Sequence, residues 1–350
     1  MQYHHLARTE LNVSAVCLGT MTWGEQNALE DAHQQMDYAL ERGINFFDTA
    51  EMYAVPPRPE TYGRTEEIIG EWFRRRGTRD HVVLATKVAG GSDSLYWVRS
   101  GRTRLDRDNI KTALEDSLRR LQTDCIDLYQ LHWPDRATNR FGQLGYARAP
   151  EALEPGERDR MRETLSTLND AVEAGKIRYI GLSNETAWGT MTFLRLAEQE
   201  GWPRPIAIQN PYSLLNRTFE IDLSEIAVRE DCGLLAYSPL AGGTLTGKYL
   251  DGRRPPGSRR TIDERGSRYE TERGEAATRE YVAIAQRHGL DPAQMALAFV
   301  NRQPFLSANI IGATTLEQLQ TNIDAAELTL SDEVMAEIEA VHQRNPNPCP

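Results

Sequence analysis

The sequence predicts an α/β fold in which eight parallel strands close into a (β/α)8, or TIM, barrel. Three observations predict it. Short β-rich runs alternate with helical stretches along almost the whole chain, and such alternation implies a parallel sheet. The runs number eight, the count that closes the sheet. No glycine-rich fingerprint follows the first run, which argues against an open dinucleotide-binding sheet.

Tyr3 to Val13 alternates around Thr9-Glu10 and reads as a β-hairpin closing the bottom of the barrel. The barrel strands are then Val16 to Leu18, Asn45 to Asp48, Val82 to Lys87, Ile126 to Leu131, Ile177 to Leu182, Ile206 to Gln209, Leu234 to Tyr237 and Ala308 to Ile311. Helical periodicity marks Asp31 to Glu41, Glu66 to Arg75, Asn109 to Leu121, Arg162 to Ala174, Gly189 to Glu200, Phe219 to Arg229 and Leu316 to Ala326. Three stretches exceed ordinary loop length: Ala54 to Tyr62 with Pro56, Pro57 and Pro59, Trp133 to Arg160, and Ala241 to Arg273. Long loops in compact domains are usually functional or disordered, and all three leave the carboxyl ends of strands. The tail after His342 reads as an irregular extension of one domain spanning residues 1–350.

Composition bounds the function. Net charge is −11, which argues against a nucleic-acid binder, since that needs a basic footprint. No run of ~18 apolar residues suggests a membrane span, and no secretory leader is visible at Met1-Gln2-Tyr3-His4-His5. A cytoplasmic location is therefore expected. Cys17, Cys125, Cys232 and Cys349 are scattered; three lie in strand-like apolar runs and read as buried thiols. Neither they nor the histidines show metal-ligand spacing, so no metal is expected. Of 40 basic residues only four are lysine: Lys87, Lys111, Lys176 and Lys248. Lysine can be tuned in pKa and arginine cannot. The sequence carries no signal for an oligomeric state.

Three strands end in chemistry-bearing residues. Ile44 to Phe47 runs into Asp48, with Tyr53 five residues on; Val82 to Thr86 runs into Lys87; Ile126 to Leu131 runs into His132. In a closed parallel barrel those ends share one face, the face that carries chemistry. Free tyrosine has a pKa near ~10, and an adjacent ammonium lowers it. Tyr53 is thus a candidate proton donor, Lys87 its electrostatic partner, Asp48 the group that holds Lys87, and His132 a further polar group on the same face. Singly, each has an ordinary reading: a surface tyrosine, a turn cap, a solvated lysine, a structural histidine. Taken singly, each ordinary reading is at least as good as the chemical one. Glu51, close to Tyr53, has no role derivable from sequence.

Asp48, Tyr53, Lys87 and His132 resemble, in order and spacing, the catalytic tetrad of the aldo-keto reductases, which favours the joint reading and implies that His132 orients a carbonyl oxygen. Leu18-Gly19-Thr20-Met21-Thr22, Tyr179-Ile180-Gly181-Leu182-Ser183-Asn184, Gln209-Asn210-Pro211-Tyr212-Ser213 and Tyr237-Ser238-Pro239-Leu240 fit the same superfamily, near its bacterial Tas-like and potassium-channel-β-like branches. The resemblance implies a reductase taking hydride from NADPH, with NADH the less favoured donor, to a small aldehyde or ketone. It implies that Ser183, Asn184 and Gln209 bond the nicotinamide carboxamide and that Tyr237 stacks on the ring. Gly19, Thr20, Met21 and Asp48 would lie beside the cofactor. Ser238, Pro239, Leu240, Thr244 and Lys248 would line its pyrophosphate.

Gly312, Thr314, Gln318 and Asn322 match the segment that reads the 2′-phosphate in many relatives, but the lysine and arginine those relatives carry are absent. Arg259, in Pro256-Gly257-Ser258-Arg259, resembles the arginine that the channel-β-like branch uses instead; Arg260 and Arg265 are its neighbours in the same loop. Trp23, Tyr53 and Trp133, with Met21 and Tyr146, are candidate walls of the substrate pocket, although Trp23 and Trp133 also suit a core. Two other classes compete: a cofactor-loaded regulatory subunit with slow turnover, and a metal-dependent barrel hydrolase.

Overall fold

The computed structural model describes residues 1–101, 103–147, 155–262 and 267–350. An antiparallel hairpin, β1 (Tyr3–His5) and β2 (Asn12–Ser14), precedes the barrel. The barrel strands are β3 (Val16–Gly19), β4 (Phe46–Asp48), β5 (Val83–Val88), β6 (Ile126–Leu131), β7 (Ile177–Ser183), β8 (Pro205–Pro211), β9 (Gly233–Tyr237) and β10 (Leu306–Ile311). Each is parallel to its neighbours, and β10 pairs with β3 to close the ring. The expected strands and hairpin are all present, with ends shifted by a residue or two.

The helices are α1 (Leu29–Glu41), α2 (Arg64–Arg76), α3 (Arg107–Leu121), α4 (Glu157–Glu173), α5 (Ala187–Glu200), α6 (Leu223–Arg229), α7 (Arg259–Ile262), α8 (Glu272–Arg287), α9 (Pro292–Asn301), α10 (Leu316–Asp324) and α11 (Asp332–Arg344). Four of them, the short α7 and the longer α8, α9 and α11, are absent from the periodicity reading. Helix α9 is buried from Met295 to Val300, so it has almost no polar face to reveal a period. Its start is nevertheless written in the sequence: Asp291 caps the N–H groups of Ala293 and Gln294, and Pro292 opens the first turn. Thr271 and Ser331 cap α8 and α11 in the same way. The segment read as one helix from Phe219 divides into a 3₁₀ turn, Thr218–Glu220, and α6.

Alternate residues of a strand face opposite sides of the sheet. Outward residues of β3 to β7 meet α1 to α5 in one apolar layer, with Trp72 and Phe73 of α2 among its larger members. Those of β8 and β9 meet α6, α8, α9 and α11 in a second. Inward residues Cys17, Phe46, Ala85, Leu128, Ala207, Leu235 and Ala308 fill the lumen, and Leu6, Leu11 and Val13 of the hairpin seal it from below. Cys17, Cys232 and Cys349 are buried, whereas Cys125 is half-buried; all four thiols are free. The irregular tail is held against the barrel. Arg217 donates its backbone N–H to Asn347 Oδ1 at 2.7 Å. The Cys349 N–H donates to Leu215 O at 3.1 Å. No described helix is long and apolar enough to cross a membrane.

Helices α2 and α3 touch at Gly70, where an added Cβ would lie 2.2 Å from the Arg120 carbonyl oxygen and 2.7 Å from Leu121 C. Gly70→Ala should therefore destabilise the fold by about 1–3 kcal/mol through overpacking, more than the about 1 kcal/mol of helix propensity it gains. The midpoint of chemical denaturation measures this; an unchanged or raised midpoint would show that the two helices can separate freely.

Candidate active site

The inward positions one step above the apolar lumen layer are polar. From Phe46, Ala85, Leu128, Ala207 and Leu235, two residues on along each strand, come Asp48, Lys87, Gln130, Gln209 and Tyr237. The strand period of two thus stacks a polar layer directly on the dry one. Gly19 continues the same face of β3, where any Cβ would come within 2.8 Å of Ile310 Cγ2.

Lys87 is fully enclosed. Its ammonium donates to Asp48 Oδ2 at 2.7 Å, to Thr49 O at 2.7 Å and to the Tyr53 hydroxyl at 3.5 Å. Asp48 Oδ1 accepts from Gln209 Nε2 at 2.8 Å and from Gln130 Nε2 at 3.0 Å. His132 meets the Tyr53 ring edge-on, with centroids 5.9 Å apart. The four residues read as a tetrad are thereby gathered at the carboxyl ends of β4, β5 and β6. Burial works against the Lys87 charge, but Asp48 and then Tyr53 hold its pKa above the ordinary ammonium range. The Tyr53 phenol is raised above its ordinary range by burial, against the lowering expected from sequence; the Lys87 ammonium offsets this only in part. Burial, reinforced by the Lys87 ammonium, drops His132 well below the usual imidazole range. The histidine is therefore neutral, and its Nδ1 has no protein partner.

The residues expected beside a dinucleotide ring this tetrad. Thr20 donates its hydroxyl to Asp48 O at 2.9 Å. Ser183 donates to Gln209 O at 2.9 Å. Asn184 donates from Nδ2 to His132 O at 2.8 Å and accepts the Tyr237 hydroxyl at 2.7 Å, bracing β6 against β9. Burial pushes the Tyr237 phenol up to about 12. Just beyond β9, Ser238, Ala241, Gly242 and Gly243 all have left-handed backbone. Successive amides in such conformations can form a concave anion cradle. Lys248 folds across it: a Cβ on Gly243 would sit 3.0 Å from the Lys248 ammonium. These features fit the diphosphate of a dinucleotide.

Arg259 reaches Met21 Sδ at 3.7 Å and acts on Tyr53 electrostatically. Arg260 donates to the Thr244 hydroxyl at 3.0 Å. Arg265 lies outside the described residues. Across the mouth, Gly312 and Gln318 are exposed at the start of α10. Gln318 Oε1 accepts from the Thr314 N–H at 3.0 Å, and Asn322 donates to Gly312 O at 3.1 Å.

The three expected pocket walls differ. Tyr53 is half-buried at the mouth. Trp133 packs against His132, with centroids 4.8 Å apart, and meets Phe141 edge-on. Trp23 is enclosed in the outer apolar layer, and its indole N–H donates to Gln35 Oε1 at 3.1 Å, so no face of it is open to a ligand. The long loop after β6 contributes Phe141, Leu144 and Tyr146 as exposed apolar groups; its residues 148–154 lie outside those described.

Sequence reading missed Gln130 and a fourth long loop. Gln130 is fully buried on Asp48, and its signal was available: a polar residue two before His132, on the inward face of β6. The segment 89–106, between β5 and α3, carries Arg99, which pairs with Glu51. Only contact across the barrel mouth reveals that pairing.

Comparison with known proteins agrees with this geometry. Residues 15–343 match the Aldo/keto reductase family, and the chain belongs to that family of oxidoreductases. Among individual proteins, it is 54% identical to the protein tas of Escherichia coli K12 across the full length of both. It is 36% identical to an uncharacterized oxidoreductase, YrpG, of Bacillus subtilis, over 96% of this chain and 94% of that one. It is 31% identical to a probable voltage-gated potassium channel subunit beta of rice, over 99% of this chain and 98% of that one.

His132 gives the site a pH signature. Its ordinary pKa is 6.5 and its folded value lies well below. Between the two, the unfolded chain binds a proton that the folded chain refuses, so stability is complete above pH 6.5 and falls as pH drops. His132→Gln, neutral at every pH, should lose less melting temperature than wild type between neutral pH and about pH 5. Parallel curves for the two proteins would place the acid sensitivity elsewhere.

Proposed function

We propose that the chain is an NADPH-dependent carbonyl reductase that converts aldehydes and ketones to alcohols. One observation carries the reading: an enclosed ammonium, pinned by Asp48, lies within hydrogen-bond reach of a mouth-facing tyrosine beside a neutral histidine. When bound, the reduced nicotinamide supplies the hydride. The protein's part is to bind, orient and protonate. Neutral His132 donates a hydrogen bond to the carbonyl oxygen and polarises it. Tyr53 gives its proton to the developing alkoxide, and the Lys87 ammonium stabilises the tyrosinate that remains. Asp48, fixed by Gln130 and Gln209, keeps Lys87 aimed at Tyr53. Ser183, Asn184 and Gln209 would hold the carboxamide. Ser238, Pro239, Leu240, Thr244 and Lys248 would hold the diphosphate at the left-handed turn. Apolar Trp133 beside His132, with Phe141 against its far side, suits carbonyl compounds with an apolar substituent.

A second reading, a cofactor-loaded regulatory subunit with slow turnover, draws on the likeness to the rice channel subunit. Single-turnover oxidation of bound NADPH by a carbonyl panel, compared with the rate of cofactor release, separates the two. Oxidation that outpaces release marks an enzyme.

Tyr53→Phe removes the proton donor and keeps the ring. Carbonyl reduction should fall by about 10²–10⁴-fold, the usual worth of a general acid, with NADPH affinity nearly unchanged in fluorescence titration. Turnover at the wild-type rate would remove Tyr53 from the mechanism.

Preference for NADPH needs a cation for the 2′-phosphate, because charge-assisted hydrogen bonds are roughly twice as strong as neutral ones. Thr314 and Gln318 carry no charge, so Arg259 is assigned that role. Arg259→Ala should weaken NADPH binding by about 2 kcal/mol and leave NADH binding unchanged. Equal losses for both cofactors would mean that Arg259 only holds its loop. No loss for either would shift the role to Arg260 or Arg265.

A further inference from the structure

Glu51 sits between Asp48 and Tyr53, and the mechanism above leaves it without a task. Its carboxylate is fully enclosed. It accepts the Ala89 N–H at 2.7 Å, the Tyr62 hydroxyl at 2.9 Å and the Arg99 guanidinium. The turn that carries it is tied to β5 on both sides. Thr49 N–H donates to Ala85 O at 2.9 Å, and Glu51 N–H donates to Lys87 O at 3.2 Å. Tyr53 N–H then donates back to Ala50 O at 3.1 Å, closing the turn that presents the phenol.

Arg99 comes from the 89–106 segment and has only 8% of its side chain exposed. Its Nε donates to Asn109 Oδ1 on α3 at 2.9 Å. Arg99 and Ser100 both have left-handed backbone, with φ of 45° and 59°. That conformation disfavours side chains with a Cβ, and such outliers persist where surrounding structure holds them. Here the guanidinium–carboxylate contact and the apolar packing of Val98 with Ala89, Leu95, Trp133 and Met52 do the holding.

We propose that Arg99 and Glu51 form a positioning pair for Tyr53, clamping the turn after β4 against β5 so that the phenol stays beside the Lys87 ammonium. The proposal rests on the reading of Tyr53 as the proton donor. The physical reason is geometric. The Tyr53 hydroxyl lies 3.5 Å from Lys87 Nζ, at the edge of hydrogen-bond range, so a small displacement of the turn breaks the contact. A buried carboxylate that lost its guanidinium would also lose its charge balance, and the turn would move to rehydrate it.

The groups facing Tyr53 are Asp48 from β4, Lys87 from β5, His132 just past β6, Tyr237 from β9 and Arg259 from α7. Of the two cations, Lys87 acts more strongly and is the one within hydrogen-bond range of the phenol, so it is the pull most sensitive to the turn's position. Loss of the pair should therefore raise the Tyr53 pKa further. Reduction needs the protonated phenol and is lost as pH rises through that pKa, so the alkaline limb of kcat should move to higher pH.

The test compares wild type, Arg99→Gly, Arg99→Lys and Tyr53→Phe, each with saturating NADPH on a carbonyl panel. Glycine accepts the left-handed backbone, so Arg99→Gly removes the guanidinium at least conformational cost. Its kcat should fall by about a hundredfold, the loss expected for a misplacement near 1 Å. KM for the carbonyl and Kd for NADPH should stay near wild type, and the alkaline limb should shift upward. Millimolar guanidinium chloride, against matched sodium chloride, should restore much of kcat by filling the vacated site. A purely structural clamp would lower the melting temperature without moving the alkaline limb or responding to guanidinium; that result, or an unchanged kcat, overturns the proposal. Should Arg99→Gly not fold, Arg99→Lys decides by the same readouts, since an ammonium lacks the planar fork. It should show a smaller loss with the same upward shift, and a wild-type profile overturns the pair. Tyr53→Phe keeps the two ideas apart. An inactive Tyr53→Phe beside an unaffected Arg99→Gly defeats the positioning pair alone. A fully active Tyr53→Phe defeats the assignment of Tyr53 and the pair with it.

Discussion

The structure depends on one buried ion pair. Lys87 has no exposed side-chain surface and Asp48 has 3%, in the lumen of a closed barrel. Removing two charges from water costs several kcal/mol per ion, and the cost is recovered only with close geometry and every remaining polar atom satisfied. That condition explains the neighbours. Gln130 and Gln209 complete Asp48, and Gln209 also donates to Gln130 Oε1 at 3.0 Å. Thr49 O and the Tyr53 hydroxyl complete Lys87. The pair thus sets the height of β4, β5, β6 and β8 relative to one another. Breaking it from one side would leave an uncompensated charge, at about 3–5 kcal/mol.

The same pair sets the demands on the rest of the lumen. A polar layer works at reduced dielectric only if water is kept from below it. The apolar layer beneath and the β1–β2 hairpin supply that seal. Close approaches maintain it: Gly181 faces the Gln130 side chain, with space for a Cβ only 2.9 Å from Gln130 Cγ. Above the pair, loops take over. The described residues of the turn after β4, of the segment 89–106, of the loop after β6 and of the segment between β9 and α8 surround one mouth, and rigid strands below hold the groups they present.

Charge is distributed against the overall balance. The chain carries a net −11, yet Arg253, Arg254, Arg259, Arg260 and Arg268 gather in the stretch between β9 and α8. Arg268 lies over the Tyr237 ring and donates to the Tyr269 hydroxyl at 2.9 Å. Arg254 and Arg260 share Glu270, yet the described residues of the stretch keep an excess of cations on an acidic protein, which would favour a small polyanion over a long phosphate backbone.

The sequence by itself determined the barrel, because strand–helix alternation and the placement of Asp48, Lys87 and His132 at strand ends are local properties. It also determined the polar layer in principle: Gln130 follows from the same period of two that gives Asp48 and Lys87, once β6 is in register. Helices α8 and α11 were legible through their caps. Helix α9 was not legible by period, because burial on every side erases the amphipathic pattern. Tertiary structure alone decided which side chains meet across loops. Trp23 turned into the outer core toward Gln35 instead of the mouth. Asn184 braced His132 and Tyr237, residues 52 and 53 positions away. Arg99, 48 residues from Glu51, crossed from the loop after β5 to the turn after the preceding strand, β4. Such contacts join segments whose separation in sequence carries no period and no spacing rule; only closure of the barrel, which brings all the carboxyl ends to one rim, fixes them.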